Sequence, residues 1–219
     1  MTGGPGIPAH GRPLDLRLIV ITDRHMVAPR DLFDVVRRCL EAGAPAIQLR
    51  DKRATARELY QQARELRSLT ESAGALLFVN DRADVALAAG ADGVHIGPDD
   101  VPLAPLRRAV PESFLIGIST DDPRAAVHAE AAGADYIGCG AVFGTQSKAE
   151  VKGERIGTRR LAEVAGAVNI PVVGIGGVTP ENAAEVAAAG AAGVAVISAI
   201  MKAADPADAV RRILAAFPR

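Results

Sequence analysis

Tryptophan is absent from the 219 residues of this chain, and aromatic residues make up only 3% of it. Hydrophobic residues nevertheless account for 49%, so alanine, valine, isoleucine and leucine must fill the core. Such a core is typical of closely packed helices and parallel strands. The net charge is only -1, which gives no indication of nucleic-acid or membrane binding. No apolar run approaches the roughly 20 residues that span a bilayer.

Cysteine is also scarce. Cys39 falls in a helical pattern and Cys139 in a strand pattern, and their spacing is not that of metal ligands. We expect small buried side chains rather than a disulfide or a zinc site, which favours a cytoplasmic location. Residues 1–13 are rich in glycine and proline and lack the apolar segment of a signal peptide. The sequence therefore predicts a disordered tail over 1–13 and one domain over 14–219.

Short apolar runs alternate with helical patterns after the tail. The runs predict eight strands: Leu16–Ile21, Ala46–Leu49, Leu76–Val79, Gly93–Ile96, Leu115–Ile118, Tyr136–Cys139, Pro171–Ile175 and Gly193–Ile197. Most are nearly continuous in aliphatic residues, as expected where both faces are buried. Helices are predicted over 30–42, 55–72, 83–89, 103–109, 122–132, 158–168, 181–189 and 206–217.

Four of these helices end at an Ala-Gly-Ala sequence just before a strand, at Gly43, Gly90, Gly133 and Gly190. Glycine there fits a left-handed helix cap, and the intervals are each about two strand–helix units. The pattern predicts an α/β fold, a (β/α)8 TIM barrel in a single domain. The alternative is a doubly wound sheet, which would normally have fewer strands and one Gly-rich turn near the N-terminus.

In a barrel, the carboxyl ends of the strands converge on one face, where active sites lie. Strand 2 leads into Gln48, Arg50 and Lys52, which alternation places in one row. Two cations and an amide suit a phosphate or a diphosphate. A solvated loop with ordinary charges is the alternative.

Two acidic residues follow strands 3 and 4. Asn80 and Asp81 end strand 3, and Asp100 lies in the turn after strand 4. Helix capping and turn formation are the simpler interpretations. However, two carboxylates on adjacent strands that face phosphate-binding cations predict a Mg²⁺ site.

Hydroxyls, glycines and one lysine follow the later strands. The segment after strand 6 contains Thr145, Ser147 and Lys148, which together describe an anion site, although an ordinary polar turn is an equal alternative. Strand 5 ends in Ser119. Loops after strands 7 and 8 often bind phosphate in barrels, and here they contain Gly177 and the pair Ile197 and Ser198.

The four histidines form no evident catalytic group. His95 lies within strand 4, where a structural role is the more common one. No Ser-His-Asp order, HExxH, CxxC or P-loop pattern is present in the sequence.

These residues resemble a known family, the thiamine-phosphate synthases, over roughly residues 16 to 214. The matching pieces, in this order, are Ile21-Thr22-Asp23, Gln48-Leu49-Arg50-Asp51-Lys52, Asn80-Asp81-Arg82, Gly93 to Gly97 with Asp99-Asp100, Ile116 to Thr120, Gly133 to Gly138, Ile175 to Gly177 and Gly193 to Ser198. As a set they are highly specific.

The resemblance implies a transferase. It joins 4-amino-5-hydroxymethyl-2-methylpyrimidine diphosphate to 4-methyl-5-(2-phosphoethyl)thiazole, or to its carboxylated form, and yields thiamine phosphate and diphosphate. Leaving of diphosphate would be helped by Mg²⁺ and by cations. The aminopyrimidine would stabilise a methylene carbocation, which the thiazole nitrogen attacks. No protein nucleophile or base is then needed, in keeping with the absence of a histidine or cysteine constellation.

The resemblance also assigns roles to residues of this chain. It implies that the pyrimidine diphosphate is held by Gln48, Arg50, Lys52, Asn80, Ser119 and Lys148, of which Arg50, Lys52, Ser119 and Lys148 take part in catalysis. Mg²⁺ would be held by Asp81 and Asp100. The thiazole phosphate would be held by Thr145, Ser147, Gly177, Ile197 and Ser198. The partners are thus small molecules, with no nucleic acid or membrane, and a homo-oligomer is left open.

The chain departs from the family pattern in two places. The usual loop Pro-Thr-Pro-Thr-Lys reads Gly144-Thr145-Gln146-Ser147-Lys148, and the histidine that often follows Ser-Thr is Asp121. Three competing interpretations remain. A thiazole tautomerase of the sister family would use a histidine after strand 6, where this chain has Ala141. A phosphosugar isomerase would need an acid–base pair. A non-catalytic thiamine-phosphate binder would have no use for a metal and diphosphate site.

Overall fold

The computed structural model describes residues 14–144 and 155–218, which form the predicted (β/α)8 barrel. Parallel strands pair in chain order, and β8 pairs with β1 to close the sheet. The strands are β1 Leu18–Ile21, β2 Ala46–Leu49, β3 Leu76–Asn80, β4 Gly93–Ile96, β5 Leu115–Ser119, β6 Tyr136–Gly140, β7 Val172–Ile175 and β8 Gly193–Val196. All eight predicted strands are confirmed, with ends shifted by at most two residues.

The helices lie between the strands. They are α1 Arg24–Val27, α2 Leu32–Glu41, α3 Ala56–Ala73, α4 Ala83–Ala89, α5 Leu103–Ala109, α6 Pro123–Ala131, α7 Gly157–Ala165, α8 Ala183–Ala188, α9 Ser198–Met201 and α10 Pro206–Ala215. The eight predicted helices are confirmed. The single-turn helices α1 and α9 were not predicted, because four residues are too few to show a helical period.

The glycine caps have the backbone conformation that the sequence predicts. The φ angles of Gly43, Gly90, Gly133 and Gly190 are 93°, 71°, 92° and 85°, all in the left-handed region that favours glycine. Each glycine therefore turns the chain from the outer helical layer back into the sheet.

The core has two layers, one inside the barrel and one between the strands and the helices. Strands β1, β2, β4 and β8 are buried along their whole length, because each faces other strands on one side and helices on the other. Inside the barrel, the rings of Phe78 and Tyr136 pack edge to face with their centroids 5.4 Å apart.

Two aspartates fasten the amino-terminal end of the barrel. Asp92 precedes β4, and its Oδ2 accepts hydrogen bonds from the Leu77 amide and the Arg67 guanidinium, both at 2.7 Å. Asp135 precedes β6 and accepts in the same way from Ile116, at 2.7 Å, and from Arg107, at 3.1 Å. We call these two arrangements the Asp–Arg clamps.

Cys39 and Cys139 are both buried and free, as predicted. Burial raises the pKa of each thiol to about 12, so neither is a reactive thiolate at neutral pH. Among residues 14–144 and 155–218, no helix is long and apolar enough to cross a membrane. The predicted disordered tail, residues 1–13, lies outside the described residues.

Candidate active site

The barrel opens at the carboxyl ends of its strands into a cavity of about 960 Å³, which we call the mouth cavity. Nine of the predicted site residues line it: Arg50, Lys52, Asn80, Asp81, Asp100, Ser119, Gly177, Ile197 and Ser198. These residues follow six different strands, so the closure of the barrel brings them together. Thr145, Ser147 and Lys148 lie outside the described residues.

Gln48 is the predicted site residue that the structure places elsewhere. It is 3% exposed and lines a small void inside the barrel with His95 and Tyr136, beneath the mouth cavity. Gln48 and Arg50 share one row of β2 and its extension, as alternation predicts, but Gln48 lies one layer deeper.

Arg50 begins the cationic part of the mouth cavity. Its backbone N–H donates to the Thr22 hydroxyl at 3.0 Å, and Thr22 is completely buried, so the start of the β2–α3 loop is fixed. The Arg50 Nε atom is itself buried and has no hydrogen-bond acceptor among the described residues. A buried guanidinium donor without an acceptor is costly. An anionic ligand in the cavity would supply the missing acceptor.

Asp81 adopts a backbone conformation that is rare for a residue with a side chain. Its φ is 65°, which a non-glycine residue adopts at an energetic cost and which clusters at functional sites. The following helix α4 begins at Ala83, with Arg82 as its N-cap and no side-chain capping bond. The alternative that Asp81 only caps this helix is therefore wrong.

The carboxyl groups of Asp81 and Asp100 are close enough for Asp100 to raise the pKa of Asp81. Burial raises the pKa of Asp81 to about 6, the charge of Asp100 adds to the rise, and Lys52 and Arg50 act in the opposite direction. Asp100 also closes the turn after β4, since its Oδ2 accepts from the Gly97 amide at 2.7 Å. Asp100 therefore stabilises the turn after β4, as the simpler interpretation of the sequence predicts, and it also lies beside Asp81.

This carboxylate pair fits Mg²⁺. A divalent cation between the two adjacent carboxyl groups would favour the ionised form of Asp81, whose pKa is raised in its absence. Within the described part of the chain, no group of three or more His, Cys, Asp or Glu side chains is arranged to hold a metal. Mg²⁺ needs fewer protein ligands than that, because it commonly binds one or two carboxylates together with phosphate oxygens and water.

Ser119, at the end of β5, connects the mouth cavity to the barrel interior. Its Oγ lies 2.9 Å from Nε2 of His95, and Nδ1 of His95 lies 3.0 Å from the Tyr136 hydroxyl. His95 also lines the mouth cavity. The sequence predicts a structural role for His95, and the structure shows in addition that His95 contacts a predicted substrate-binding residue, Ser119.

The loops after β7 and β8 form another part of the cavity wall. Gly176 and Gly177 have φ angles of 95° and 68°, and a Cβ atom on Gly177 would come within 2.7 Å of the Gly144 carbonyl oxygen. Both positions therefore require glycine. Arg30 holds the other loop by donating to the carbonyls of Met201 and Ala203, the latter at 2.7 Å.

Two further cations line the mouth cavity, Arg155 and Lys202, and sequence reasoning missed both. Lys202 follows Ser198 by four residues, which is one helical turn, so the predicted phosphate loop could have led to it. No pattern in the sequence connects Arg155 to a predicted site residue. Asp121, which replaces the histidine often found in the family, also lines the cavity.

Comparison with known proteins decides which family these features belong to. Residues 18–200 match the family model described as thiamine monophosphate synthase. The chain belongs to the thiamine monophosphate synthase family. It is 48% identical over 200 residues to the thiamine-phosphate synthase of Natronomonas pharaonis, covering 91% of this chain and 94% of that one. It is 47% identical over 196 residues to that of Moorella thermoacetica, covering 90% and 93%.

Solved structures agree with this family. Thiamine phosphate pyrophosphorylase from Pyrococcus furiosus superposes with a TM-score of 0.83 at 44% identity, covering 92% of this chain and 95% of that one. A 3-hexulose-6-phosphate synthase superposes with a TM-score of 0.67 at 21% identity, covering 92% and 100%, and this likeness shows the fold alone. Membership of the thiamine monophosphate synthase family makes the chain an enzyme of the transferase class.

Proposed function

We propose that this family member is a thiamine-phosphate synthase. It condenses 4-amino-5-hydroxymethyl-2-methylpyrimidine diphosphate with 4-methyl-5-(2-phosphoethyl)thiazole, plain or carboxylated. The C–O bond between the pyrimidine methylene and the diphosphate breaks, and a C–N bond to the thiazole nitrogen forms. The products are thiamine phosphate and diphosphate. The buried, unpaired cysteines support a cytoplasmic location for this reaction.

The observation that carries the proposal is the pairing of opposite charges on one side of the mouth cavity. Asp81 and Asp100 contact each other, and the charges of Arg50 and Lys52 act on Asp81. An uncharged ligand would pair with neither the two carboxylates nor the two cations. A magnesium diphosphate complements both, because its metal needs carboxylates and its oxygens need cations.

In this proposal the side chains hold the diphosphate in a position from which it can leave. Arg50 and Lys52 bind its oxygens, and the Arg50 Nε atom gains the acceptor that it lacks among the described residues. When bound by Asp81 and Asp100, Mg²⁺ would neutralise charge on the diphosphate as the C–O bond breaks. Asn80 and Ser119 line the same cavity, and Lys148, which the family resemblance assigns to the diphosphate, would add a further cation for the leaving group.

The aminopyrimidine itself supplies the electrons that stabilise the methylene carbocation, so the protein needs no nucleophile. Its task is to keep water away and to hold the second substrate within reach. The thiazole phosphate is assigned to Gly177, Ile197 and Ser198, which line the same cavity, and, by the family resemblance, to Thr145 and Ser147. Lys202 lies near Ser198 along the chain and lines the same cavity, so we add it to this phosphate site.

The sister tautomerase activity is the closest alternative. It requires a histidine after β6, where this cavity is lined by Ala141, whose side chain can neither donate nor accept a proton. A non-catalytic binder of thiamine phosphate would need neither the Asp81–Asp100 pair nor Mg²⁺.

The test is direct. Purified protein is mixed with Mg²⁺ and both heterocyclic phosphates, and thiamine phosphate and diphosphate are quantified. We expect the two products in equal amounts and no product when either substrate is omitted. A protein that isomerises a thiazole precursor but makes no thiamine phosphate would be a tautomerase. A protein that binds thiamine phosphate without making it would be a binder. The Asp81→Asn, Asp100→Asn double variant is the matched control.

A further inference from the structure

Four polar side chains follow one another from the barrel interior to the mouth cavity: Gln48, Tyr136, His95 and Ser119. Gln48 lowers the pKa of the neighbouring Tyr136 hydroxyl, which lies 3.0 Å from His95 Nδ1. His95 Nε2 lies 2.9 Å from Ser119 Oγ. Ser119 and His95 line the mouth cavity, whereas Gln48 and Tyr136 lie beneath it. Of these four residues, only Ser119, at the outer end of the row, has a role in the proposed reaction.

The strands leave space for these rings at two glycines. A Cβ atom on Gly117 of β5 would come within 2.1 Å of the Tyr136 ring, and one on Gly138 of β6 within 2.9 Å of His95 Cε1. Real Cβ atoms do not approach so closely, so any other residue at either position would displace a ring. Tyr136 is only 1% exposed. The arrangement of the row is therefore fixed by the packing of the barrel.

The direction of the hydrogen bonds follows from Tyr136. Burial raises the pKa of its hydroxyl, which therefore keeps its proton. Tyr136 is buried and its hydroxyl lies 3.0 Å from Nδ1 of His95, and a buried donor proton needs an acceptor, so we take the Tyr136 proton to be donated to Nδ1. An imidazole that accepts at Nδ1 carries its proton on Nε2, so His95 donates to Ser119 Oγ.

We propose that His95 is a positioning residue that holds Ser119 Oγ as an acceptor, so that the Ser119 hydroxyl proton is directed to an acceptor atom of the pyrimidine diphosphate. This inference rests on the proposed function for the identity of the ligand. A hydroxyl oriented before the substrate arrives needs no reorganisation during the reaction. It also favours a ligand that presents an acceptor, because a donor in the same place would leave both groups unpaired.

A matched pair of His95 variants tests the proposal through activity. His95→Asn keeps an acceptor near the Nδ1 position for Tyr136 but removes the donor to Ser119, whereas His95→Gln keeps an N–H near the Nε2 position. We expect His95→Asn to lower kcat about tenfold, the effect of one lost hydrogen bond, with KM for the thiazole phosphate unchanged. His95→Gln should recover most of that loss. Melting temperatures of both variants serve as the check on folding.

Ser119→Ala separates positioning from a general structural effect. If His95 acts through Ser119, then His95→Asn should change kcat by less than about twofold in the Ser119→Ala background. A full tenfold loss in that background, or equal losses in His95→Asn and His95→Gln, would overturn the proposal.

The tautomer of His95 gives a readout that does not depend on activity. Nitrogen chemical shifts of protein labelled with ¹⁵N-histidine distinguish Nε2–H from Nδ1–H, and the chain has four histidines, so His95→Gln assigns the signal. We expect Nε2–H in the wild type and a mixture of tautomers in Tyr136→Phe. A wild-type Nδ1–H ring or an imidazolium at neutral pH would refute the inferred direction. This result stands even if the wild type makes no thiamine phosphate, which would refute the proposed function instead.

Discussion

Aspartates at the two ends of this barrel have opposite surroundings. At the amino-terminal end, Asp92 receives hydrogen bonds from the Arg67 guanidinium and from a backbone amide. At the mouth, Asp81 contacts another carboxyl group, that of Asp100, and burial raises its pKa to about 6. The carboxylate of Asp92 is thus paired with a positive charge and a hydrogen-bond donor, whereas the carboxylates of Asp81 and Asp100 repel each other.

The difference shows where the chain gains stability and where it gives stability up. The Asp–Arg clamps join a helix to the start of a strand by pairing a carboxylate with a guanidinium and a backbone amide, although the Arg67 Nε atom, like that of Arg50, is buried without a hydrogen-bond partner among the described residues. The mouth combines a left-handed aspartate with two adjacent carboxyl groups. Both features of the mouth are costly without a ligand. Barrels in general place stability at the first end and chemistry at the second.

The largest effect that we expect from the mouth comes from removing both carboxylate charges. Asp81→Asn and Asp100→Asn keep the size of each side chain, and each should raise the Mg²⁺ concentration needed for half-maximal activity. The double variant should be nearly inactive. Because both residues would act through one ion, the two losses should not simply add. The measurement is turnover titrated with Mg²⁺, and unaltered titration curves in both single variants would refute the metal assignment.

Next in size is the loss of a cation. Lys148→Ala should slow turnover on the order of a hundredfold or more, as for the loss of one electrostatic stabiliser of the transition state. Its melting temperature should stay close to that of the wild type, since the role proposed for this charge is in the reaction rather than in the fold. Turnover within a few-fold of the wild type would exclude Lys148 from catalysis.

A variant of a clamp residue should lose stability and keep its activity, the opposite of what we expect for Lys148→Ala. Asp92→Ala leaves the Arg67 charge and the Leu77 amide without their acceptor, and the side chains of Asp92 and Arg67 are only 15% and 13% exposed. We expect a loss of about 2–3 kcal/mol in the free energy of unfolding with kcat unchanged below the melting transition.

Two controls accompany the Asp92 measurement. Asp92→Asn keeps an oxygen for the Leu77 amide and should cost less than alanine does. Glu163→Ala removes two surface ion pairs, with Arg159 and Arg160, whose side chains are 94% and 48% exposed, and should cost no more than about 0.5 kcal/mol. Urea denaturation gives all three values. A clamp variant that loses activity but keeps its stability would contradict the division between the two ends.

The sequence was sufficient to predict the architecture. Its strands are short aliphatic runs buried on both faces, and that pattern is local. The predicted mouth residues followed from the same step, because in a barrel the residue after a strand lies at the mouth. For the described residues this placed Arg50, Lys52, Asp81 and Asp100 in one cavity before any coordinates were known.

What the sequence could not predict depends on depth and on pairs of distant residues. Alternation gives the row of Gln48 but not its layer, so its burial beneath the cavity was unforeseen. The clamps join residues 25 and 28 positions apart, and no periodicity connects them. The contact of His95 with Ser119 depends on Gly138, whose missing side chain leaves room for the ring. Each of these features depends on residues from more than one segment of the chain, so no local sequence pattern predicts it.

The smallest effect concerns the stability of the metal-free protein. Because the folded pKa of Asp81 is about 6 against an ordinary value of 3.8, the folded state binds more protons than the unfolded state between these values. Stability therefore falls as pH rises from about 4 to 6 and stays lower above that. Asp81→Asn should remove the penalty and stabilise the metal-free protein at pH 8 relative to the wild type. At pH 4 the charge effect should be absent.

The pH dependence isolates the charge, since any relief of the left-handed backbone by asparagine is the same at both pH values. A shift of this size corresponds to roughly 3 kcal/mol, but solvent screens the half-buried Asp81, so we expect about 1 kcal/mol. Asp84→Asn is the control of opposite sign, because the hydrogen bond from Arg82 lowers the pKa of Asp84. The measurement is the melting temperature in a chelator at both pH values. If Asp81→Asn is equally stabilising at pH 4 and pH 8, the pKa of Asp81 is not raised in the folded state, and the contrast between Asp81 and the aspartates of the Asp–Arg clamps is wrong.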